Sequence, residues 1–182
     1  MKNIALHILD LVENAARAKA KSVEVSISED TKNDRYMLSI KDDGTGMNEE
    51  ILQKAADPFF TSRLTRKVGL GLPLVKMNAE RTGGSFSLDS VPGRGTKLEA
   101  MFKMSHPDRL PLGEIGDVMV LLTTGLPALH LVYEHKTPFG FYHFDTKNIR
   151  DIIGYSQDNN IEIRKFLREM VSENLKEIQA EE

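Results

Sequence analysis

The sequence predicts an α+β fold: a two-layer sandwich in which a mixed sheet carries helices on one face, followed by a small C-terminal α+β extension. Apolar residues recur at helical spacing in two segments, residues 3–19 and 72–81. They alternate at every second position in four others, residues 22–29, 35–41, 84–90 and 96–103. Helical and strand-like segments in this order are typical of one sheet covered by helices.

The first helix is amphipathic. Its apolar stripe contains Ile4, Ile8, Leu11, Val12 and Ala15. Its polar stripe contains His7, Asp10, Asn14 and Arg17, which share one face because they are spaced by three or four residues. The next two segments, 22–29 and 35–41, are separated by a short polar turn and are expected to form a hairpin.

The middle of the chain contains two further predicted helices and a second pair of strands. Asn48 is suited to cap a short helix over 49–56. Residues 57–68 are expected to form a loop. Pro73 suits the first turn of the helix that follows and Gly83 suits its end. The turn at 92–95 joins the last two strands of this part.

The composition changes at residues 105–108, where we place a boundary between domains 1–104 and 105–182. The second part is predicted to form a helix over 113–124, a hairpin from strands 129–135 and 141–144, a helix ending near Gly154, and a last helix over 160–178. We interpret it as a unit for partner binding or dimerisation. His135 and His143 are expected on facing hairpin strands, in structural roles.

The bulk composition excludes several classes of function. The chain has 182 residues, a net charge of −3 and no cysteine, so disulfides and thiol chemistry are absent. The charge favours neither nucleic acid nor membrane surfaces as partners. The longest apolar run, residues 118–129, is too short to cross a bilayer, which needs about 20 apolar residues. We expect a cytoplasmic protein.

Four short patterns occur in order, each at the boundary of a predicted element. They are Asp10-x-x-x-Asn14, Asp42-Asp43-Gly44-Thr45-Gly46-Met47, Gly69-Leu70-Gly71-Leu72 and Gly93-Arg94-Gly95-Thr96. Each pattern alone is weak, because glycine turns and polar helix faces are common without any ligand. Their joint occurrence predicts a nucleotide site.

Each pattern has a physical use in such a site. The Asp42 carboxylate, at the end of a strand, can accept a hydrogen bond from the exocyclic amine of adenine, and Gly44 and Gly46 allow the backbone to lie close to the base. Gly69 and Gly71 leave N–H groups at a helix start for phosphates. The amide oxygen of Asn14 is a suitable ligand for Mg²⁺, and Arg17 is within reach of a phosphate.

These motifs resemble the GHKL superfamily of ATPases, which includes DNA gyrase, Hsp90, histidine kinases and MutL, and which has the Bergerat ATP-binding fold. Asp10–Asn14 resembles the N box, and residues 42–47, 69–72 and 93–96 resemble the glycine boxes. Residues 57–62, Asp-Pro-Phe-Phe-Thr-Ser, resemble the F box of histidine kinases. The resemblance covers about the first hundred residues, and among members histidine kinases look most similar.

The resemblance implies that ATP and Mg²⁺ are the cofactors, that Asn14 binds the metal, that Asp42 binds adenine, and that residues 61–68 form a lid. The nucleotide-binding residues it implies are Asn14, Arg17, Asp42, Gly44, Gly46, Met47, Phe60, Thr61, Arg63, Lys67, Gly69, Leu70, Gly71, Leu72 and Thr96. The alternative for the lid is a solvated basic loop without a ligand.

Two departures from the family pattern bear on catalysis. Asp10 stands where hydrolytic members have a glutamate general base; aspartate is one methylene shorter, so its role as base is open. The sequence begins at the N-box helix, so we expect no upstream helical hairpin with a phosphoacceptor histidine, which histidine kinases need for autophosphorylation. His7 is the alternative phosphoacceptor, although a polar residue near the pocket fits its context better.

Three functions are therefore considered. The first is a kinase-like protein that uses Mg-ATP to phosphorylate or regulate a separate partner, as anti-sigma-factor kinases of the superfamily do. Similar stand-alone proteins imply a phosphoacceptor or a redox-enzyme component as that partner. The second is a slow ATP-hydrolysing switch that dimerises, so a homodimer stays open. The third is a non-catalytic, nucleotide-dependent scaffold.

Overall fold

A mixed sheet of six strands organises the computed structural model, which describes residues 2–57, 71–153 and 161–181. The strands are β1 (Ser22–Asp30), β2 (Arg35–Asp42), β3 (Ser85–Val91), β4 (Gly95–Lys103), β5 (His130–Thr137) and β6 (Gly140–Asp145). The helices are α1 (Ile4–Arg17), α2 (Glu49–Lys54), α3 (Gly71–Arg81), α4 (Ile115–Gly125), α5 (Thr146–Ile153) and α6 (Ile161–Glu177). The strands lie in the order β3-β4-β2-β1-β5-β6.

One face of the sheet is buried and the other carries polar side chains. Along β1, Val23, Val25 and Ile27 are buried, whereas the residues between them are partly or fully exposed. The partners of Val25 on β2 and β5 are Ile40 and Tyr133, which are also buried. Because side chains alternate between the faces of a strand, this register places every apolar set on the same side. The predicted two-layer α+β sandwich with helices on one face is confirmed.

Helix α1 is central to the helical layer. Asn3 caps it by accepting a hydrogen bond from the N–H of Leu6 at 2.9 Å. The N–H groups of Ile4 and Ala5 donate to the carbonyl oxygens of Pro111 and Leu112, both at 2.9 Å. The apolar stripe of α1 is buried in the core, and its polar stripe faces α3 and the end of β2. Asn48 caps α2 in the same way, as predicted, by accepting from the N–H of Ile51.

The C-terminal part extends the same sheet. Strand β5 pairs with β1 in parallel, and β6 returns antiparallel beside β5. Helix α4 precedes this hairpin and packs between α1 and α6. Its buried residues, among them Val118, Met119 and Leu122, join the single apolar cluster that also contains the stripe of α1. The boundary at residue 105 stays a prediction, while the two parts share one sheet and one core.

A closed polar cluster is buried where β1, β5 and the C-terminal segment meet. His135 Nε2 lies 2.7 Å from Glu29 Oε1, and His135 Nδ1 lies 2.7 Å from the Tyr133 hydroxyl. The N–H of Glu181 donates to the same Glu29 oxygen at 3.0 Å. All three side chains are buried, so these hydrogen bonds replace those that water would make. The structural role predicted for His135 agrees with this position, and His143 lies on the facing strand.

Among the helices in the described ranges, none combines the length and apolar composition that crossing a bilayer would require.

Candidate functional site

A cavity of about 500 Å³ lies between the helical layer and the ends of β2 and β4. Its walls come from α1, α2, the start of α3 and the sheet. The lining residues are Leu11, Asn14, Ala15, Arg17, Ala18, Ile40, Asp42, Thr45, Gly46, Met47, Ile51, Ala55, Gly71, Leu72, Pro73, Leu88, Thr96 and Leu98. Cavities of this size, mostly apolar with a few polar groups, are typical small-molecule sites.

Asp42 supplies an acid at one end of this cavity. It is the last residue of β2 and shares the buried face with Ile40, so its carboxyl group points toward the helical layer. Burial raises the pKa of Asp42, and the N–H groups of Gly44 and Thr96 oppose that shift without cancelling it. The Gly44 N–H donates to Asp42 Oδ1 at 2.8 Å. A carboxylate held in this way is a strong acceptor with an incomplete solvent shell.

The glycine turn after Asp42 is bound to the turn between β3 and β4. Gly46 has φ of +64°, and a Cβ atom there would collide with the carbonyl of Val91, so a side chain is excluded. The hydroxyl of Ser90 accepts from the N–H of Met47 at 2.8 Å and donates to the carbonyl of Gly95 at 2.9 Å. Ser90 thus joins two of the predicted motifs. Sequence reasoning missed it because a serine on an edge strand has no distinguishing pattern.

The polar stripe of α1 supplies further polar groups to the cavity. The Asn14 Nδ2 group donates to Asp10 Oδ2 at 3.2 Å, and the Arg17 guanidinium donates to Asn14 Oδ1 at 2.7 Å. Arg17 also contacts Glu13, at 3.4 Å, and half of its side chain is exposed. Asn14 and Arg17 line the cavity, whereas Asp10 lies behind Asn14.

The start of α3 closes the cavity near Asp10. Gly71 is the first residue of the helix and is buried, and a Cβ atom there would collide with Asp10 Oδ2. A side chain at this position would therefore displace the Asp10 carboxylate. Leu72 and Pro73 line the cavity beside it. The first turn of a helix presents N–H groups that suit an anion.

Apolar walls complete the site, and sequence reasoning did not assign them to it. Ile40 and Leu98 are neighbours across β2 and β4, and Ile51 and Ala55 lie four residues apart on and just after α2. The alternation of the strands marks Ile40 and Leu98 as buried but cannot show that they border a cavity. Such surfaces suit the faces of a flat ring.

The structure brings together most of the predicted residues that it describes. Asn14, Arg17, Asp42, Gly46, Met47, Gly71, Leu72 and Thr96 line the cavity. Gly44 and Asp10 lie directly behind it, each in contact with a lining residue. Phe60, Thr61, Arg63, Lys67, Gly69 and Leu70, and with them the predicted lid, lie outside the described residues.

His7 occupies a buried position between α1 and α3. Its Nε2 lies 3.2 Å from Asn78 Nδ2, and only 1% of the residue is exposed. Burial lowers the pKa of His7 to about 4, so the imidazole is neutral at pH 7. An acceptor of a phosphoryl group must be accessible, and this burial argues against His7 in that role.

The donor chemistry of the cavity fits one Mg²⁺ ion shared with a ligand. In the described ranges, no group of three or more His, Asp or Glu side chains is arranged to hold a metal. Among the described lining residues, Asn14 offers an amide oxygen, which accepts a hydrogen bond from the cationic side chain of Arg17. Mg²⁺ commonly takes one or two protein ligands and completes its shell with phosphate oxygens and water. Asn14 suits that arrangement.

Comparison with known proteins assigns the chain to a family. The model of the histidine kinase-, DNA gyrase B- and HSP90-like ATPases matches residues 2–106, more than half of the chain. The chain therefore belongs to this family, and the GHKL resemblance is confirmed. Membership of an ATPase family implies that the domain binds ATP.

Individual relatives are similar over the same part of the chain. Sensor protein SrrB of Staphylococcus aureus (strain NCTC 8325 / PS 47) is 34% identical over 106 residues, which make up 56% of this chain and 18% of that protein. A protein of Shewanella frigidimarina (strain NCIMB 400) is 30% identical over 103 residues, or 56% of this chain and 16% of the relative. The chain thus spans less than a fifth of these relatives.

A solved structure shows the same fold. The crystal structure of the N-terminal domain of a DNA repair protein superposes with a TM-score of 0.56 at 12% identity. The superposition covers 85% of this chain and 58% of the other. At such low identity the likeness concerns the fold alone, and it agrees with the predicted Bergerat architecture.

Proposed function

We propose that this chain binds Mg-ATP in the cavity between α1 and the ends of β2 and β4, and that it acts as a kinase-like signalling or regulatory protein on a separate partner. The observation that carries the proposal is that Asp42 and Asn14, from the sheet and from α1, line one open cavity. The acid suits the adenine amine and the amide oxygen suits a phosphate-bound metal. Family membership and the similarity to a sensor protein support the same function.

Each group in the cavity has a defined part in this scheme. The Asp42 carboxylate accepts the exocyclic N–H of adenine, and Ile40 and Leu98 shield the ring from water. Asn14 holds the metal, and Arg17 turns from Asn14 to a phosphate. Bound Mg²⁺ would neutralise charge on the phosphates. In transfer, the bond from the γ-phosphorus to the β–γ bridging oxygen breaks, a bond to the acceptor atom forms, the acceptor loses a proton and ADP leaves.

The binding step is tested by calorimetry with ATP and GTP, each with Mg²⁺ and with EDTA. We expect ATP to bind more tightly than GTP, and EDTA to weaken ATP binding far more in the wild type than in Asn14→Ala. Asn33→Ala is the matched control, because Asn33 lies in the exposed β1–β2 turn and bonds only to that turn's Asp30. Equal effects of EDTA on the wild type and Asn14→Ala would remove Asn14 as the metal ligand.

The reaction is tested by incubation with ATP labelled at the γ-phosphate, with and without candidate partner proteins. Label on protein supports the kinase-like function, release of free phosphate supports the slow ATPase switch, and neither supports the scaffold. Phosphosite mapping on proteins retained only in the presence of ATP would then show whether the partner is a phosphoacceptor or a redox-enzyme component. Light scattering with and without ATP tests the homodimer.

A further inference from the structure

The side chain of Asn14 lies between two groups of opposite hydrogen-bonding character. Asp10, one turn earlier on α1, offers a carboxylate that accepts from Asn14 Nδ2 at 3.2 Å. Arg17, one turn later, offers a guanidinium that donates to Asn14 Oδ1 at 2.7 Å. An ionised carboxylate only accepts and a guanidinium only donates. The two neighbours therefore agree on a single orientation of the amide, with its nitrogen toward Asp10 and its oxygen toward Arg17, which also lines the cavity.

From this geometry we propose that Asp10 is a positioning residue, which holds the Asn14 amide so that its oxygen faces the metal, and is not a general base. An amide can turn over about its last bond at little cost in water, and the reversed amide would present N–H donors to the cation. The hydrogen bond to Asp10 prevents that reversal. This inference rests on one part of the proposed function, the binding of a metal ion by Asn14.

The surroundings of Asp10 agree with this role. Asp10 is partly buried and does not line the cavity, although Asn14 and Gly71 beside it do. One of its oxygens lies against the backbone of Gly71, in the space that a side chain at that position would enter. A general base must reach the proton that it removes, directly or through one water. The carboxylate of Asp10 is instead directed along α1, toward the amide of Asn14 and the start of α3.

The spacing explains why aspartate suits this position. Residues four apart on a helix are neighbours, so a short side chain at position 10 meets the side chain of residue 14 directly. A glutamate is longer by one methylene, so its carboxylate would not meet the Asn14 amide in the same position. Hydrolytic members of the family have glutamate at this position. The shorter aspartate has the length that fits an orienting hydrogen bond.

The first test compares Asp10→Ala, Asp10→Asn and Glu13→Ala by ATP calorimetry, with Mg²⁺ and with EDTA. Asp10→Ala should lose about tenfold in affinity for Mg-ATP, the lower end for removing a group that orients a metal ligand, and little in EDTA. Asp10→Asn should keep most of the affinity, because its amide oxygen still accepts from Asn14 Nδ2. Glu13→Ala, the neighbouring acid that binds only the outer side of Arg17, should match the wild type.

The second test needs no nucleotide. The side-chain amide resonances of Asn14 in an NMR spectrum of the free protein should move in Asp10→Ala, and much less in Glu13→Ala. Melting temperatures confirm that each variant is folded. If wild-type protein fails to bind ATP while these resonances still depend on Asp10, the proposed function fails and the orienting contact stands.

Two outcomes overturn the inference. One is an Asn14 amide whose resonances are the same in Asp10→Ala as in the wild type. The other is full Mg-ATP affinity in Asp10→Ala together with an equal loss of phosphate release in Asp10→Ala and Asp10→Asn, which is the behaviour of a general base.

Discussion

Polar side chains lie near both ends of β1 on the buried side of the sheet. The two ends differ in their surroundings. Asp42 pairs with Val23 at one end, and Glu29 lies six residues further along, roughly 20 Å away at the usual rise of a strand. Asp42 and Asn14 border an open cavity. Glu29 is enclosed with His135 and Tyr133, and their polar atoms bind one another.

This difference indicates a binding role for the Asp42 end and a structural role for the Glu29 end of the same sheet surface. Buried polar groups in proteins are almost always hydrogen-bonded, so a set that is closed on itself has its function within the fold. Polar side chains that border an open cavity can instead bind a ligand. The comparison predicts that changes at the Glu29 end lower stability without altering ATP affinity. Changes at the Asp42 end should mainly alter ATP affinity, with a smaller, pH-dependent effect on stability.

The largest expected effect is the loss of stability in Glu29→Ala. The substitution leaves His135 Nε2 and the Glu181 N–H without their buried acceptor, and breaking such a pair costs about 3 kcal/mol or more. The free energy of unfolding in urea measures this loss, and calorimetry should show ATP affinity unchanged. Glu134→Ala is the matched control, because Glu134 pairs with His143 on the exposed face; there we expect less than about 1 kcal/mol.

The second effect is a loss of ATP affinity in Asp42→Asn. The amide offers one acceptor in place of two and brings a donor toward the adenine amine, so binding should weaken by about 1–3 kcal/mol. Asp43→Asn is the control, since Asp43 points away and accepts the N–H groups of Lys21 and Ser22. Wild-type affinity in Asp42→Asn, or an equal loss in both variants, would contradict the assignment of adenine to Asp42.

The smallest effect is on the pH dependence of stability, which should change in opposite directions in Asp42→Asn and Asp43→Asn. Burial raises the pKa of Asp42, so protonated Asp42 contributes to the stability of the fold. That contribution is present below about pH 3.9 and is lost as pH rises through the raised pKa. The N–H of Ser22, with that of Lys21, lowers the pKa of Asp43, whose contribution is present above about pH 3.9 and is lost as pH falls through the lowered value.

Relative to the wild type, Asp42→Asn should therefore gain stability as pH rises from about 2 to 6, and Asp43→Asn should lose it. Urea unfolding of the nucleotide-free proteins across this range checks the two slopes. Slopes of the same sign would show that the two neighbouring carboxyl groups do not differ in their surroundings as the structure indicates.

Local patterns were sufficient to predict the elements and the polar ends of the site. Asn48 lies at the start of a helix, and the alternation of Tyr36, Leu38 and Ile40 continues to Asp42, which puts that acid on the buried face. These signals depend only on residues near in sequence. The expected helix over residues 113–124 and the hairpin after it are also present, each within two residues of the predicted bounds.

Such local patterns could not predict contacts between distant segments. Neither the sequence of β1 nor that of β5 shows that the two strands pair in parallel. Their pairing also depends on the packing of α4, which lies between them in the chain. The link from Ser90 to Met47 joins residues 43 positions apart and has no sequence signature. The engagement of Asp10 with Asn14 follows from helical spacing, but the closeness of Gly71 to Asp10 does not.

The parallel pairing of β5 with β1 has a practical consequence for any shortened form of the protein. A chain ending at residue 104 would retain every polar side chain that borders the cavity. It would also leave one long edge of β1 with its main-chain N–H and C=O groups bare, and would uncover the part of α1 that α4 shields. Bare strand edges are templates for pairing with other molecules. The hairpin thus covers the long edge of β1, and the shorter β6 is the outer strand on this side of the sheet.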